Sequence, residues 1–95
     1  MLIVSQKTNC IYNMGNITKI YKSSANKIMA SVTQGEGGEL AEYKSPEHCF
    51  FAIGMLASAA EGGEGVFQFP TQEEMMRNVQ HGSQFKTKAN RHGGS

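Results

Sequence analysis

The run from Ser45 to Ala60, SPEHCFFAIGMLASAA, constrains this chain more than any other. Ser45 is a good N-cap, because its hydroxyl can accept from a free amide of the first helical turn. Pro46 follows at the first helical position, where a missing N–H is harmless. Glu47 places negative charge near the positive end of the helix dipole. Beyond His48 there is no charged residue until Glu61, and Gly62-Gly63 then stop the helix.

At about 100° per residue, Cys49, Ala52, Ile53, Leu56 and Ala60 share one face of this helix. Phe50, Phe51, Gly54, Met55 and Ser58 occupy the other, and nothing charged is among them. A helix on the surface of a small domain should have one polar side. This one is apolar nearly all round, yet shorter than the ~20 apolar residues a membrane span requires. One face should therefore cover the chain's own sheet, and the other should meet a second copy of the chain or its tail. Gly54 and Ser58, four apart, leave a shallow notch beside Phe51 and Met55. Leaving Phe50, Phe51 and Met55 in water would forgo roughly 1.5–3 kcal/mol each. The competing reading is a fully buried central helix in a monomer. An oligomer interface formed by Phe50, Phe51, Gly54, Met55 and Ser58 is the expectation carried forward.

The chain has 95 residues, enough for one domain with one modest core. Its formal net charge of +1 argues against electrostatic capture of nucleic acid. All eight acids are glutamates at or before Glu74, whereas Arg77, Lys86, Lys88 and Arg91 follow Met75 with no acid among them. Cys10 and Cys49 lack CxxC spacing and read as a pair of reduced thiols. The apolar start, MLIV, is too short for a signal peptide, so a cytoplasmic location is expected.

Taken in order, Leu2 to Ser5, Cys10 to Asn13, Ile17 to Lys22, Lys27 to Val32 and Glu39 to Tyr43 read as short strands separated by polar or glycine-rich turns. Val66 to Phe69 reads as a sixth, ended by Pro70. Thr71 and Glu74 form a capping box that opens a second helix, with Met75, Met76 and Val79 as its narrow apolar stripe. The fold expected is α+β: an antiparallel β-meander of about five to six short strands packed on one central α-helix. A short C-terminal helix completes one domain over residues 1–80, and 81–95 form a flexible basic tail.

No enzyme signature emerges. Cys49 and His48 are neighbours on a helix and do not face each other. His48, His81 and His92 are scattered, which suits no metal site. Glu73-Glu74 is explained by capping, and the glycines of GEGG lack the Lys-Ser/Thr of a phosphate loop. No cofactor, metal or membrane partner is expected. A binding site is easier to build. Phe67 and Phe69 lie two apart on a strand and project to the same side. An aromatic face beside cations is how a base is stacked and its phosphates are held. Lys19 and Lys22 on the sheet, and Arg77, Lys86, Lys88 and Arg91 beyond it, are the cations available. The competing reading makes Phe67 and Phe69 core residues and the cations a solvated surface.

Three segments carry a resemblance: LIVSQ with IYN and NITKIYK; LAEYKSPEHCFFAIGML; and FQFP before an acidic-start helix. Over residues 1 to about 75 the chain resembles small proteins of phages and prophages of Gram-positive bacteria. Among these it is similar to the phage anti-Thoeris sponge proteins. The resemblance implies a non-catalytic homo-oligomer that sequesters a cyclic nucleotide immune signal, a cyclic ADP-ribose isomer or a cyclic oligonucleotide. It also implies that Phe67 or Phe69 stacks on a base and that Arg91 pairs with phosphate, helped by Lys22; Arg77, from the residue reading, is expected as a further ligand-binding cation. The chain departs from the pattern in having no aspartate and only two arginines. The other function expected is a protein-binding inhibitor of a defence enzyme such as a CRISPR nuclease, docking through the basic tail or through Glu36, Glu39 and Glu42.

Overall fold

The computed structural model describes residues 1–80, with side chains as far as Arg77. The expected basic tail, with Arg91, lies outside the described residues. The elements run β1 (Leu2–Val4), β2 (Ile11–Asn13), β3 (Ile17–Lys22), β4 (Lys27–Val32), β5 (Gly38–Glu42), α1 (Pro46–Glu61), β6 (Val66–Gln68) and α2 (Gln72–Gln80). A single 3-10 turn, Met14–Asn16, links β2 to β3. The architecture is α+β, with six strands, a central helix and a short second helix, as the residues imply.

The strands divide into two three-stranded sheets, ordered β2-β1-β6 and β3-β4-β5. The second is antiparallel throughout. In the first, β1 pairs antiparallel with β2 and parallel with β6. The meander thus breaks at the 3-10 turn, and the last strand returns to the first. A parallel neighbour needs a long crossover, and β3 to α1 supply it.

Strand alternation builds the core. Ile28 and Ala30 point inward from β4, facing Ala41 and Ile20 across the ladder. On this surface α1 lays Cys49, Ala52 and Leu56, all buried. Ile3, Phe67, Phe69 and Met75 complete the cluster.

Both helix starts follow the local chemistry. The Ser45 hydroxyl accepts from the His48 N–H at 3.2 Å. At α2, the Thr71 N–H donates to Glu74 Oε1 at 2.9 Å, and the Glu74 N–H donates to Thr71 Oγ1 at 3.1 Å, a reciprocal capping box. At the other end of α1, Gly63 turns the chain at φ +76°, a conformation that favours glycine. The Glu64 N–H then reaches back to the Ala59 carbonyl at 3.0 Å.

One side chain ties the sheets together. Gln6, just past β1, donates its backbone N–H to the Leu40 carbonyl of β5 at 2.7 Å. Its Oε1 accepts from the Glu42 N–H at 3.0 Å, and its Nε2 donates to the Pro70 carbonyl at 3.1 Å. The same carbonyl accepts from the buried Tyr43 hydroxyl at 2.7 Å. The junction between β6 and α2 is therefore held from two directions.

Candidate functional site

Phe67 and Phe69 do project to the same side, and that side is the interior. Phe67 is 9% exposed and Phe69 0%. Their rings meet edge to face, 5.1 Å apart at 89°. A base needs an open ring face, and neither ring offers one. The expectation that Phe67 or Phe69 stacks a ligand is corrected on this ground: β6 and the residue that follows it spend their aromatic rings on the core.

An aromatic ring beside a cation does occur on the surface, elsewhere. Phe50, in the first turns of α1, is 59% exposed. The Lys22 ammonium, at the end of β3, stands 5.9 Å from its ring centroid. The same ammonium donates to the Ser23 carbonyl at 2.9 Å, which fixes its position over the ring. Lys19 and Tyr21 form a second pair, at 4.7 Å, on the outer face of the β3-β4-β5 sheet. There Lys27 is engaged by Glu39 at 3.3 Å. Of the predicted cations, Lys22 has an exposed ring beside it, whereas Arg77 does not. Arg77 lies 3.6 Å from Glu73, one turn away on α2. It borders a cavity of about 330 Å³ with Met55, Gln68, Phe69, Pro70 and Glu74. Phe50 and Met55 are five residues apart, roughly 140° round the helix. The Lys22–Phe50 pair and the Arg77 cavity therefore lie on different sides of α1.

The α1 face expected to be shared divides in two. Phe50 and Ser58 are exposed, and Gly54 is half-buried. Phe51 and Met55 are half-buried as well and pack against the chain's own core. Burial within the protomer thus removes much of Phe51 and Met55 from any interface, leaving Phe50, Gly54 and Ser58 as its open part.

The buried polar groups between β5, α1 and α2 are each engaged. Cys49 Sγ donates to the Asn26 carbonyl at 3.1 Å. Burial pushes its thiol above the ordinary range, outweighing the nearby Lys22 ammonium and a backbone hydrogen bond, which pull it down. His48 Nδ1 faces Gln72 Nε2 at 3.0 Å. Gln72 Oε1 accepts from the Lys44 N–H at 2.8 Å, which fixes the amide orientation and makes Nδ1 the acceptor. Cys49 and His48 are thus turned to different partners, and no nucleophile–base pair forms between them. Burial, with Cys49 and Glu74 adding to it, holds the Tyr43 phenol above the usual tyrosine range. Among the described residues no three His, Cys, Asp or Glu side chains gather as metal ligands. No described helix is long and apolar enough to cross a membrane.

The surface that sequence reasoning missed is the outer side of the β2-β1-β6 sheet. Ile3, Tyr12 and Phe67 are in register and face inward, so their neighbours face out. Leu2 is 43% exposed, Val66 58% and Ile11 66%. The signal was present: LIV, IY and VF are apolar at positions of both parities, which demands cover on both faces of a sheet.

No protein-family model matches the chain. Neither a curated protein nor a solved structure matches it.

Proposed function

We propose that this chain is a non-catalytic binding protein that sequesters a cyclic nucleotide, a cyclic ADP-ribose isomer or a cyclic oligonucleotide, and so blunts an anti-phage defence signal. The observation that carries the proposal is the Lys22–Phe50 pair: an open ring with an ammonium 5.9 Å from its centre. Stacking of a base on an exposed ring is tolerant of base identity, and a positioned cation holds the adjoining phosphate. Phe50 takes the role first expected of Phe67 and Phe69, and Lys22 keeps its own. The uncharged remainder of the α1 outer face, Gly54 and Ser58, lets a second copy approach and close the far side of the ligand.

Calorimetry with cyclic ADP-ribose isomers and with cyclic di- and trinucleotides tests this. Binding to one of them is expected. Phe50→Ala should weaken it by 10- to 100-fold, since stacking contributes about 1–3 kcal/mol per base. Absence of heat with every compound ends the proposal. The second reading, a protein-binding inhibitor of a defence enzyme such as a CRISPR nuclease, is favoured by one observation, the bare apolar side of the β2-β1-β6 sheet. Stoichiometric retention of a host protein with no nucleotide binding would select it.

A further inference from the structure

The outer face of the β2-β1-β6 sheet has an internal pattern. Leu2 is in register with Asn13 on one side and Val66 on the other. Val4 is in register with Ile11 and Gln68. The outward residues therefore form two rows of three: Asn13, Leu2, Val66, and below them Ile11, Val4, Gln68. Four are aliphatic, none is charged, and the two amides occupy opposite corners.

We propose that this face docks on the same face of a second copy, about a two-fold axis in the plane of the sheet along the Asn13–Gln68 diagonal. Strands are ~4.8 Å apart and residues two apart along a strand are ~6.8 Å apart. On that grid, a half-turn about the diagonal lays Asn13 on the partner copy's equivalent residue, and likewise Gln68. Leu2 falls over Ile11 of the copy, and Val66 over Val4. Asn13 Oδ1 accepts from the Gly15 N–H at 2.9 Å, which leaves its NH2 and a second lone pair for the partner copy's amide; amides thus meet amides, and aliphatic groups meet aliphatic groups. An axis along the strands would set Asn13 against Val66, and one across them would set it against Ile11. Either would bury an amide on hydrocarbon. The diagonal axis crosses the two sets of strands at about 70°, close to the orthogonal class of sheet packing.

The contact is small. Six outward residues on three short strands cover about half of the ~800 Å² per partner that a standard interface buries. A contact of that size belongs to the weak, transient class. None of its six residues belongs to the Lys22–Phe50 pair, although Gln68 also borders the cavity beside Met55, and the inference stands whether or not a nucleotide binds at that pair.

Sedimentation velocity from 10 µM to 1 mM reads it directly. A concentration-dependent dimer is expected. Ile11→Lys and Val66→Lys, both at exposed positions, should weaken it at least tenfold, with circular dichroism unchanged. Met76→Glu, at an apolar residue 49% exposed on α2, should leave it unaltered. A single-chain species at every concentration overturns the proposal, as does a dimer indifferent to both lysines. The axis has its own test, in a Cys10→Ser background oxidised with diamide at 500 µM. Gln68→Cys should cross-link to itself. Ile11→Cys alone should not, but mixed with Leu2→Cys it should. Self-cross-linking of Ile11→Cys without that of Gln68→Cys refutes the diagonal axis.

Discussion

Replacing Phe69 separates the two roles its ring has been given. The side chain is fully buried, and its edge-to-face partner Phe67 lies 5.1 Å away. Truncating such a ring removes its burial and leaves a cavity, together about 3–5 kcal/mol, and the lost aromatic pair adds about 1 kcal/mol. A domain of this size is stable by roughly 4–12 kcal/mol. Phe69→Ala should therefore lower the melting temperature by about 20 °C or more, and in a marginal background it will not fold. Phe69→Leu keeps most of the volume and should lose about 1–2 kcal/mol while folding normally. Phe50→Ala, at an exposed position, should stay within about 0.5 kcal/mol. Urea unfolding measures all three stabilities, and nucleotide calorimetry on Phe69→Leu and Phe50→Ala supplies the second axis. The expected result is a crossing: Phe69→Leu less stable and still binding, Phe50→Ala stable and impaired. If Phe69→Leu were as stable as the parent and had lost the ligand, the ring would be a binding platform after all, and the assignment of β6 to the core would fail.

Four further outcomes follow from the contacts. Backbone and hydroxyl hydrogen bonds from Thr71, aided by Arg77, hold the exposed Glu74 carboxyl below its ordinary range. Its contribution is therefore complete above the unfolded pKa and is lost as pH falls below about 4.5 and through the folded value. Amide exchange in the first turn of α2 should accelerate in that window, and Thr71→Ala, worth about 1 kcal/mol as a lost cap, should keep most of the pH dependence, because the backbone N–H that donates to Glu74 remains. Tyr43→Phe should cost only about 1 kcal/mol in urea unfolding, because the Pro70 carbonyl keeps the Gln6 amide as a donor. In spectrophotometric titration the Tyr43 phenol should ionise above the ordinary tyrosine range, since burial raises it. Exposed Cys10 should react at once with a thiol reagent, whereas Cys49, buried and bonded to the Asn26 carbonyl, should react only on unfolding.

Local chemistry made the elements legible. Ser45, Pro46 and Gly62-Gly63 bracket α1, Thr71 and Glu74 open α2, and the alternation in Lys27–Val32 marks the inner face of β4. Pairing was not legible, because nothing local in VFQF says that its neighbour is LIV, more than sixty residues earlier. The site suffered from the same gap. Two phenylalanines at spacing two mark a common side of a strand, but only the sheet's neighbours decide whether that side is core or surface. Helix periodicity set Phe50, Phe51 and Met55 on one broad face. In the folded chain Met55 packs against the core cluster, whereas Phe50 stays bare. Val79, the third residue of the α2 stripe, lies beyond the described side chains.

The central position of β1 sets an order of assembly. Gln6 and Pro70, which must meet for the first sheet to close, are 64 residues apart. On a ribosome adding about 5–20 residues per second, β1 and β2 wait roughly 3–10 seconds for β6 to be made. A two-stranded hairpin is marginal on its own, and this one is greasy on both flanks. The second sheet and α1, whose partners are close in sequence, can form meanwhile. Completion of the domain is then a zipping step, in which the newest strand captures the oldest, and a chain stopped before Val66 has nothing with which to finish.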